Sequence, residues 1–579
     1  MKDLPEIAMP EAKQVSPLFA AARTLNVKDE EYCSTSRARA RIFMGVAIFS
    51  LALFLLIGRL VEVSLLRGFS FSPFMDTNEI KYRGDILDRN GELLATSLET
   101  FSLYANPKKV WDPVASTEAI ISTLPDLDAS VIEERLTSGK SFVWIKRNLT
   151  PKERQAVFLL GLPELSFQTE PRRVYPRGRL AAHVLGYTDI DMKGTAGTER
   201  AFEAELSDKS KGAKYLSIDM RVQFALADEL RAGIDKYNAD AASGVVLNVK
   251  TGEVLAMASL PDFDPNNPGV ILPQNGLNRA SMSVYELGSS FKPITMALAH
   301  ETGVIKEGEL LPVQNKIVIR NKSIKDDHPS HVPLSIWDVL AKSSNRGATL
   351  LALRAGAEAQ QDLLRRLGLF GRVPIELKES AAPILPREWQ DITVATVSYG
   401  HGISVTPLAL ATALSTLLND GRYIPPTLSK RAPENIPEGR QVISVETSKF
   451  VADLMRYVVT DGTGRNARVP GYKLLGKTGT AEKLIDGAYD TKRLVTDFVA
   501  VFPYGDPQYL VFIVFDEPKA YEGSYGYATA GWNAAKTAGA VVERIAPMLG
   551  VQRSEVTAQY LPSGHGTGHA SGHGTGRVH

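Results

Sequence analysis

Cysteine is almost missing from this 579-residue chain. The single Cys33 excludes an intramolecular disulfide and any multi-cysteine zinc or iron–sulfur framework. A surplus of either charge is missing too: 66 Lys+Arg stand against 65 Asp+Glu, a formal charge of +1. That balance argues against a nucleic-acid-binding basic field and against an acidic tail protein. The low apolar content of a disordered chain is absent as well, since 44% of residues are hydrophobic and 23% charged. At roughly 150 residues per domain the length allows about three or four units.

Charge is also missing from Ile42 to Ile57 (IFMGVAIFSLALFLLI), and apolar residues continue through Leu60, Val61, Val63, Leu65 and Leu66. A membrane-crossing helix needs about 20 residues, which Ile42 to Leu66 supplies if its last turns lie at the interface. Arg59 and Glu62 belong at that interface, because a central arginine costs about 2.5–3.5 kcal/mol. They read either as an i, i+3 contact or as a contact with a partner's membrane helix. Arg37, Arg39 and Arg41 precede the span and only Arg67 follows closely, which predicts a cytoplasmic N-terminus and an exported remainder. GRLVEVSLLRG offers no small-x-small cleavage site, so an uncleaved anchor is expected.

Residues 1–41 lack a sustained apolar period and read as a flexible tail. Lys81 to Ser97 (KYRGDILDRNGELLATS) has the short runs and turn signals of β-structure, with Asn90-Gly91 as a hairpin turn. STEAIISTL and PKERQAVFLLGL predict helices, and GTAGTERAFEAEL opens another. From about Lys214 the elements lengthen. SGVVLNVKTGEVLAMASL reads as strand, turn, strand; YKLLGKTGTAEK, LVTDFVAVFPY and QYLVFIVFDEP supply later strands, with helical segments between. One sheet with parts distant in sequence and flanked by helices is expected, closed by a helix in AAKTAGAVVERIAPML. The final SGHGTGHASGHGTGRVH repeats GHGTG and reads as a flexible end rather than a metal site.

Three short motifs carry chemistry. Ser289 and Lys292 form S-x-x-K and share a helix face. A serine hydroxyl needs a base, and a lysine serves only when uncharged. Lowering its pKa from about 10.4 to near 7 requires roughly 5 kcal/mol, which burial, a helix N-terminus and a second cation can provide. Lys477 is that second cation, placed where a strand ends in small and hydroxylated residues. Thr478 and Thr480 offer donors for a carboxylate, and Gly479 lets an extended peptide approach for strand addition. Ser343 and Asn345 form S-x-N, able to relay a proton and hold a peptide group. Each motif has a bland alternative: a surface helix start, a Lys-Thr-Gly turn such as the one at Lys250, and a helix cap. Their order removes much of that blandness, because 54 residues separate Ser289 from Ser343 and 134 separate Ser343 from Lys477. His401 between glycines reads as a turn residue, Asp327, His328 and His331 form no ligand set, and Gly462, Thr463 and Gly464 could shape a loop near Lys477.

The ordered trio resembles the penicillin-binding proteins and serine β-lactamases, with Ser-Ser-Asn for the more familiar Ser-Asp-Asn. RGDILDRNG, RVYPRGRLAAHVLG, GTAGTE, NRASMSVYELGSSFKP, SYGHGISVTPLALA and DGTGRNA extend the resemblance to the class B penicillin-binding proteins, over about Lys81 to Leu549. Leu287 departs from the proline expected before Gly-Ser. The resemblance implies a multidomain α+β fold: a cytoplasmic tail (1–41), an anchor (42–66), an elongated pedestal (67–213), a transpeptidase domain (214–552) and a Gly/His-rich tail (553–579). Within the transpeptidase domain it implies a central antiparallel sheet flanked by helices, with an all-helical subdomain.

It further implies a serine-type D-Ala-D-Ala transpeptidase of the inner membrane, cross-linking septal peptidoglycan, blocked by β-lactams and needing no cofactor or metal. Ser289 would be the acylated nucleophile, Lys292 its base, Ser343 the relay to the leaving amine and Asn345 a holder of the donor peptide. Lys477 would supply electrostatic support. Thr478 and Thr480 would bind the terminal carboxylate, with the N–H groups of Ser289 and Thr480 as oxyanion hole. Implied partners are stem peptides, the division glycosyltransferase FtsW and other division proteins. An elongation-specific transpeptidase and a division scaffold remain alternatives. A β-lactamase or sensor is disfavoured, since no E-x-x-L-N segment lies between Asn345 and Lys477. No glycosyltransferase module is expected before the pedestal.

Overall fold

The computed structural model describes residues 41–59 and 82–554. The chain forms two units, 1–80 and 81–579. In the first, helix α1 (Arg41–Arg59) has a mean hydropathy of 2.3 and exposes its side chains all round. Its 19 residues rise roughly 28 Å, close to the thickness of a hydrocarbon layer. The expected tail before it, Cys33, and the 60–66 end of the expected span with Glu62 lie outside the described residues.

The second unit begins with the predicted hairpin. Strand β1 (Ile86–Leu87) turns through 88–92 into β2 (Leu93–Ala105), and Asp88 Oδ1 accepts from the N–H groups of Asn90 (2.7 Å) and Glu92 (2.8 Å). Helices α2 (Pro113–Thr123) and α3 (Ala129–Thr137) start on the capping carboxylates of Asp112 and Asp128. Strand β3 (Val143–Leu149) is followed by α4 (Pro151–Phe158), which opens on a Thr150/Glu153 capping box. Strand β4 (Leu165–Val174) pairs along β2. Leu103, Ile120, Leu136, Ile145 and Val157 fill the core between these helices and strands. The helix expected in GTAGTERAFEAEL is two short ones, Gly197–Ala201 and Glu203–Leu206, parted at Phe202, whose ring is buried.

Strand β5 (Lys214–Tyr215) pairs in parallel with β1. These two residues, read from sequence as opening the catalytic domain, therefore complete the pedestal sheet. Helix α5 (Met220–Tyr237) follows at once, its Met220 N–H held by Asp88 Oδ2 at 3.1 Å, so the first hairpin also grips the next domain.

The sheet predicted from distant segments is present, and every pairing in it is antiparallel. Strands β6 (Ala241–Asn248) and β7 (Val254–Leu260) join β8 (Leu475–Ile485), β9 (Ala488–Phe502) and β10 (Tyr509–Asp516) in the order β8-β9-β10-β6-β7. Val246, Phe498, Phe502, Val511, Ile513 and Phe515 bury one face against α5 and α11 (Ala534–Met548). The other face packs on helices drawn from the 273–460 segment. The wholly buried α9 (Pro407–Leu417) and α10 (Val445–Thr460) lie against the strands, and α6 (Lys292–Glu301), α7 (Ile336–Ala341) and α8 (Asn345–Ala355) pack around them. The three motifs meet between these helices and edge strand β8.

Candidate active site

Ser289 stands in a single tight turn, Gly288–Phe291, and α6 starts at Lys292 with Pro293 in its first turn. The turn is pressed against β8: a Cβ on Gly288 would stand 2.6 Å from the Thr480 carbonyl oxygen, and the Gly288 φ of +50° lies where side chains are disfavoured. Leu287, in place of the expected proline, is fully buried and enters the turn at φ −96°. One turn on, the Lys292 amine reaches Ser289 Oγ at 2.9 Å. It also donates to Asn345 Oδ1 at 2.7 Å and to the Ser343 carbonyl, and lies 3.1 Å from Ser343 Oγ.

The S-x-N segment joins α7 to α8. Ser344 caps α8, its Oγ accepting from Gly347 N–H at 3.0 Å, so the cap predicted as a bland alternative is real and belongs to the middle serine. That leaves Ser343, at φ +60°, and Asn345 free to face Lys292. Asp326 fixes the segment: its carboxylate accepts from Ser344 Oγ (2.8 Å) and from the N–H groups of Asn345 and Arg346 (2.9 Å).

Lys477 lies near the start of an eleven-residue strand, β8, and not where a strand ends. The small residues that looked like a terminus are internal because other groups occupy their side-chain space. A Cβ on Gly479 would stand 2.2 and 2.5 Å from the Asp497 carboxylate oxygens and 2.5 Å from the Leu287 carbonyl. β8 is an edge strand, and no described strand pairs with its outer side. The Lys477 amine donates to Ser343 Oγ at 3.0 Å, so one hydroxyl links both lysines. Thr478 Oγ1 is 2.8 Å from Thr463 Oγ1, which places the Gly462–Gly464 loop beside Lys477. Thr480 Oγ1 accepts from Ala530 N–H at 3.2 Å.

Both amines are 0% exposed. Burial pushes Lys292 well below the ordinary lysine range, the Lys477 charge adds to that, and Asp326 and Asp327 oppose it. Burial also lowers Lys477, against the pull of Asp497 and Asp327. The neutral amine that the sequence argument required thus has its physical causes in place.

The penicillin-binding protein transpeptidase domain matches residues 242–535, and the penicillin-binding protein dimerisation domain matches residues 80–221. The chain belongs to the penicillin-binding proteins. Among relatives of this penicillin-binding protein, the "Probable peptidoglycan D,D-transpeptidase FtsI" of Caulobacter vibrioides is 42% identical over 483 residues, 81% of this chain and 82% of the relative. The "Peptidoglycan D,D-transpeptidase FtsI" of Escherichia coli K12 is 30% identical over 543 residues, covering 86% and 91%. The crystal structure of penicillin binding protein 3 from Mycobacterium tuberculosis, complexed with aztreonam, superposes with a TM-score of 0.64 at 26% identity, over 82% of this chain and 97% of that one.

The other flagged residues of this penicillin-binding protein take no part in these hydrogen bonds. His401 packs between Tyr399 and Tyr489, and burial lowers its pKa. The Lys250-Thr251-Gly252 turn joins β6 to β7 at the other end of the sheet, as its hairpin reading requires. Among the described residues no group of three or more His, Cys, Asp or Glu is placed to hold a metal ion. Sequence reasoning missed Asp326 and Asp497. Asp326 lies beside Asp327, which was noticed only as a ligand candidate; Asp497 sits in an apolar run, LVTDFVAVF, where an isolated acid was the available signal.

Proposed function

We propose that this penicillin-binding protein is a membrane-anchored peptidoglycan D,D-transpeptidase that cross-links stem peptides at the division septum. The carrying observation is the coordination of the Lys292 amine. A neutral amine has two N–H groups and one lone pair; the Ser343 carbonyl and Asn345 Oδ1 can only accept, so they take the N–H groups. The lone pair is left for the Ser289 hydroxyl.

In this reading Ser289 Oγ attacks the carbonyl carbon of the penultimate D-alanine while its proton passes to Lys292. The Ser289 and Thr480 N–H groups hold the oxyanion, each donor contributing about 2.7–4 kcal/mol. The C–N bond breaks, the proton moves through Ser343 to the departing D-alanine amine, and an ester remains on Ser289. A neighbouring stem-peptide amine then attacks the ester, forming the cross-link and returning the proton to Ser289. Asn345 holds the donor peptide along open strand β8, and Lys477, Thr478 and Thr480 receive its terminal carboxylate. A β-lactam acylates the same oxygen and stays.

The names of the relatives support the septal role, and α1, opening on Arg41 with Arg37 and Arg39 before it, supports an inner-membrane anchor with its N-terminus in the cytoplasm. The catalytic domain then lies in the periplasm on its pedestal, positioned to work beside FtsW and other division proteins. The test is mass spectrometry of the protein labelled with fluorescent penicillin. One labelled peptide containing Ser289 is expected, and Ser289→Ala should abolish labelling; adduct on another residue would refute the assignment. Depletion should give filaments, whereas rounded cells would move the enzyme to elongation.

A further inference from the structure

Two buried amines bonded to one serine oxygen cannot both be charged without a large repulsion, since no water screens them. Something must decide which of them carries the charge. Asp326 is engaged by three donors of the S-x-N segment and, of the two amines, pulls Lys292 toward the charged form. The Asp327 charge pulls both lysines toward the charged form and therefore favours neither.

Asp497 does discriminate. It pairs with Gly479 in the β8–β9 ladder and Val499 pairs with Lys477, so the side chains of Asp497 and Lys477 share one face of the sheet. The carboxyl group fills the space that a side chain on Gly479 would need. It is 0% exposed, one oxygen accepts from the Ser290 hydroxyl, and Oδ2 has no hydrogen-bond partner. A dry carboxylate oxygen in that state requires a nearby positive charge or a proton. Burial pushes the Asp497 carboxyl up to about 8, against the Ser290 hydrogen bond and the Lys477 charge, whereas the groups that act on Lys292 are Lys477, Asp326, Asp327 and His401. Ser290, its hydrogen-bond donor, lies between the nucleophile and the base in the chain.

We infer that Asp497 is a positioning residue for acyl transfer: from beneath β8 it tethers the Ser289 turn through Ser290 and, once ionised, holds the site's positive charge on Lys477, leaving Lys292 uncharged. The inference rests on the transpeptidase reading and deepens it. Asp497 touches neither substrate nor reacting atoms, so its effect must appear through the two lysines.

The rate of acylation by fluorescent penicillin, measured against pH on the full-length protein in detergent, tests this. Activity should rise as Lys292 loses its proton and fall as Lys477 loses its own. With no carboxyl left to ionise beside Lys477, that amine is easier to deprotonate, so Asp497→Asn should move the alkaline limb to lower pH by about a unit. Asp497→Ser, smaller and equally neutral, should move it the same way and decides the question should the asparagine variant not fold. Ser290→Ala keeps the charge and loses the tether, so its rate should fall with both limbs in place. Neutral variants with the wild-type profile, or with the uniform loss of Ser290→Ala, would overturn the charge assignment. A wild-type protein unlabelled at Ser289 would instead overturn the transpeptidase reading itself.

Discussion

A methyl group at position 479 would collide with the Asp497 carboxylate on one side and the Leu287 carbonyl on the other. The backbone here has no spare room because three layers meet: the Ser289 turn, strand β8 and the carboxyl group of β9. Gly479→Ala should therefore push the nucleophile away from its strand. Overpacking of this kind costs about 1–3 kcal/mol, and a loss of about 1.4 kcal/mol in the barrier alone is tenfold in rate. Penicillin acylation of Gly479→Ala should fall at least about tenfold, with a lower melting temperature. Wild-type rates would show that the glycine serves only the approach of an incoming peptide, as its sequence context suggested.

At the scale of elements, the site depends on how α8 begins. Asp326 supplies the acceptor for one hydroxyl and two backbone N–H groups there, and through them it orients Ser343 and Asn345 toward Lys292. Asp326→Ala would leave these donors without an acceptor in a buried place. An unmade buried hydrogen bond costs about 1–3 kcal/mol, so a total loss of roughly 2–4 kcal/mol is expected, with penicillin labelling reduced in parallel. Asp326→Asn keeps an acceptor oxygen and should recover part of both; denaturant unfolding with labelling distinguishes the pair. The same element shows what the sequence could and could not say. Ser289, Lys292, Ser343, Asn345 and Lys477 were legible because their chemistry demands fixed residue types at short spacing. Strands β6 to β10 were legible because their cores are apolar runs bounded by turns. Asp326 and Asp497 act through contacts 18 or more residues away in the chain, and nothing local marks an acid as a cap or a buried counter-charge. Lys214–Tyr215 misled for a related reason: a two-residue strand has no period, and only its partner β1 reveals its sheet.

For the molecule as a whole, the question is what holds the pedestal together, since its α2–α4 core is small. Glu199 is fully buried between two arginines, Arg83 ahead of β1 and Arg173 at the end of β4, and Tyr175 Oη lies 3.3 Å from it. Arg83 also bonds Glu203 at 2.8 Å and the Met192 carbonyl at 3.1 Å; Arg173 reaches the Gly84 carbonyl at 2.8 Å. Chain segments more than a hundred residues apart therefore converge on one carboxylate. Removing it strands the Arg173 guanidinium and leaves Arg83 with Glu203 alone, and breaking such a cluster from one side costs about 3–5 kcal/mol. Glu199→Ala should destabilise the pedestal by that amount while all three motifs stay intact in the sheet and helices of the second domain. Under limited proteolysis the first cuts should then fall between residues 82 and 213, and the fragment carrying the penicillin label at Ser289 should outlast them. If label and pedestal disappeared together, the grip of Asp88 on Met220 would be the reason, because that bond passes pedestal disorder directly into α5 and the face of the sheet it covers.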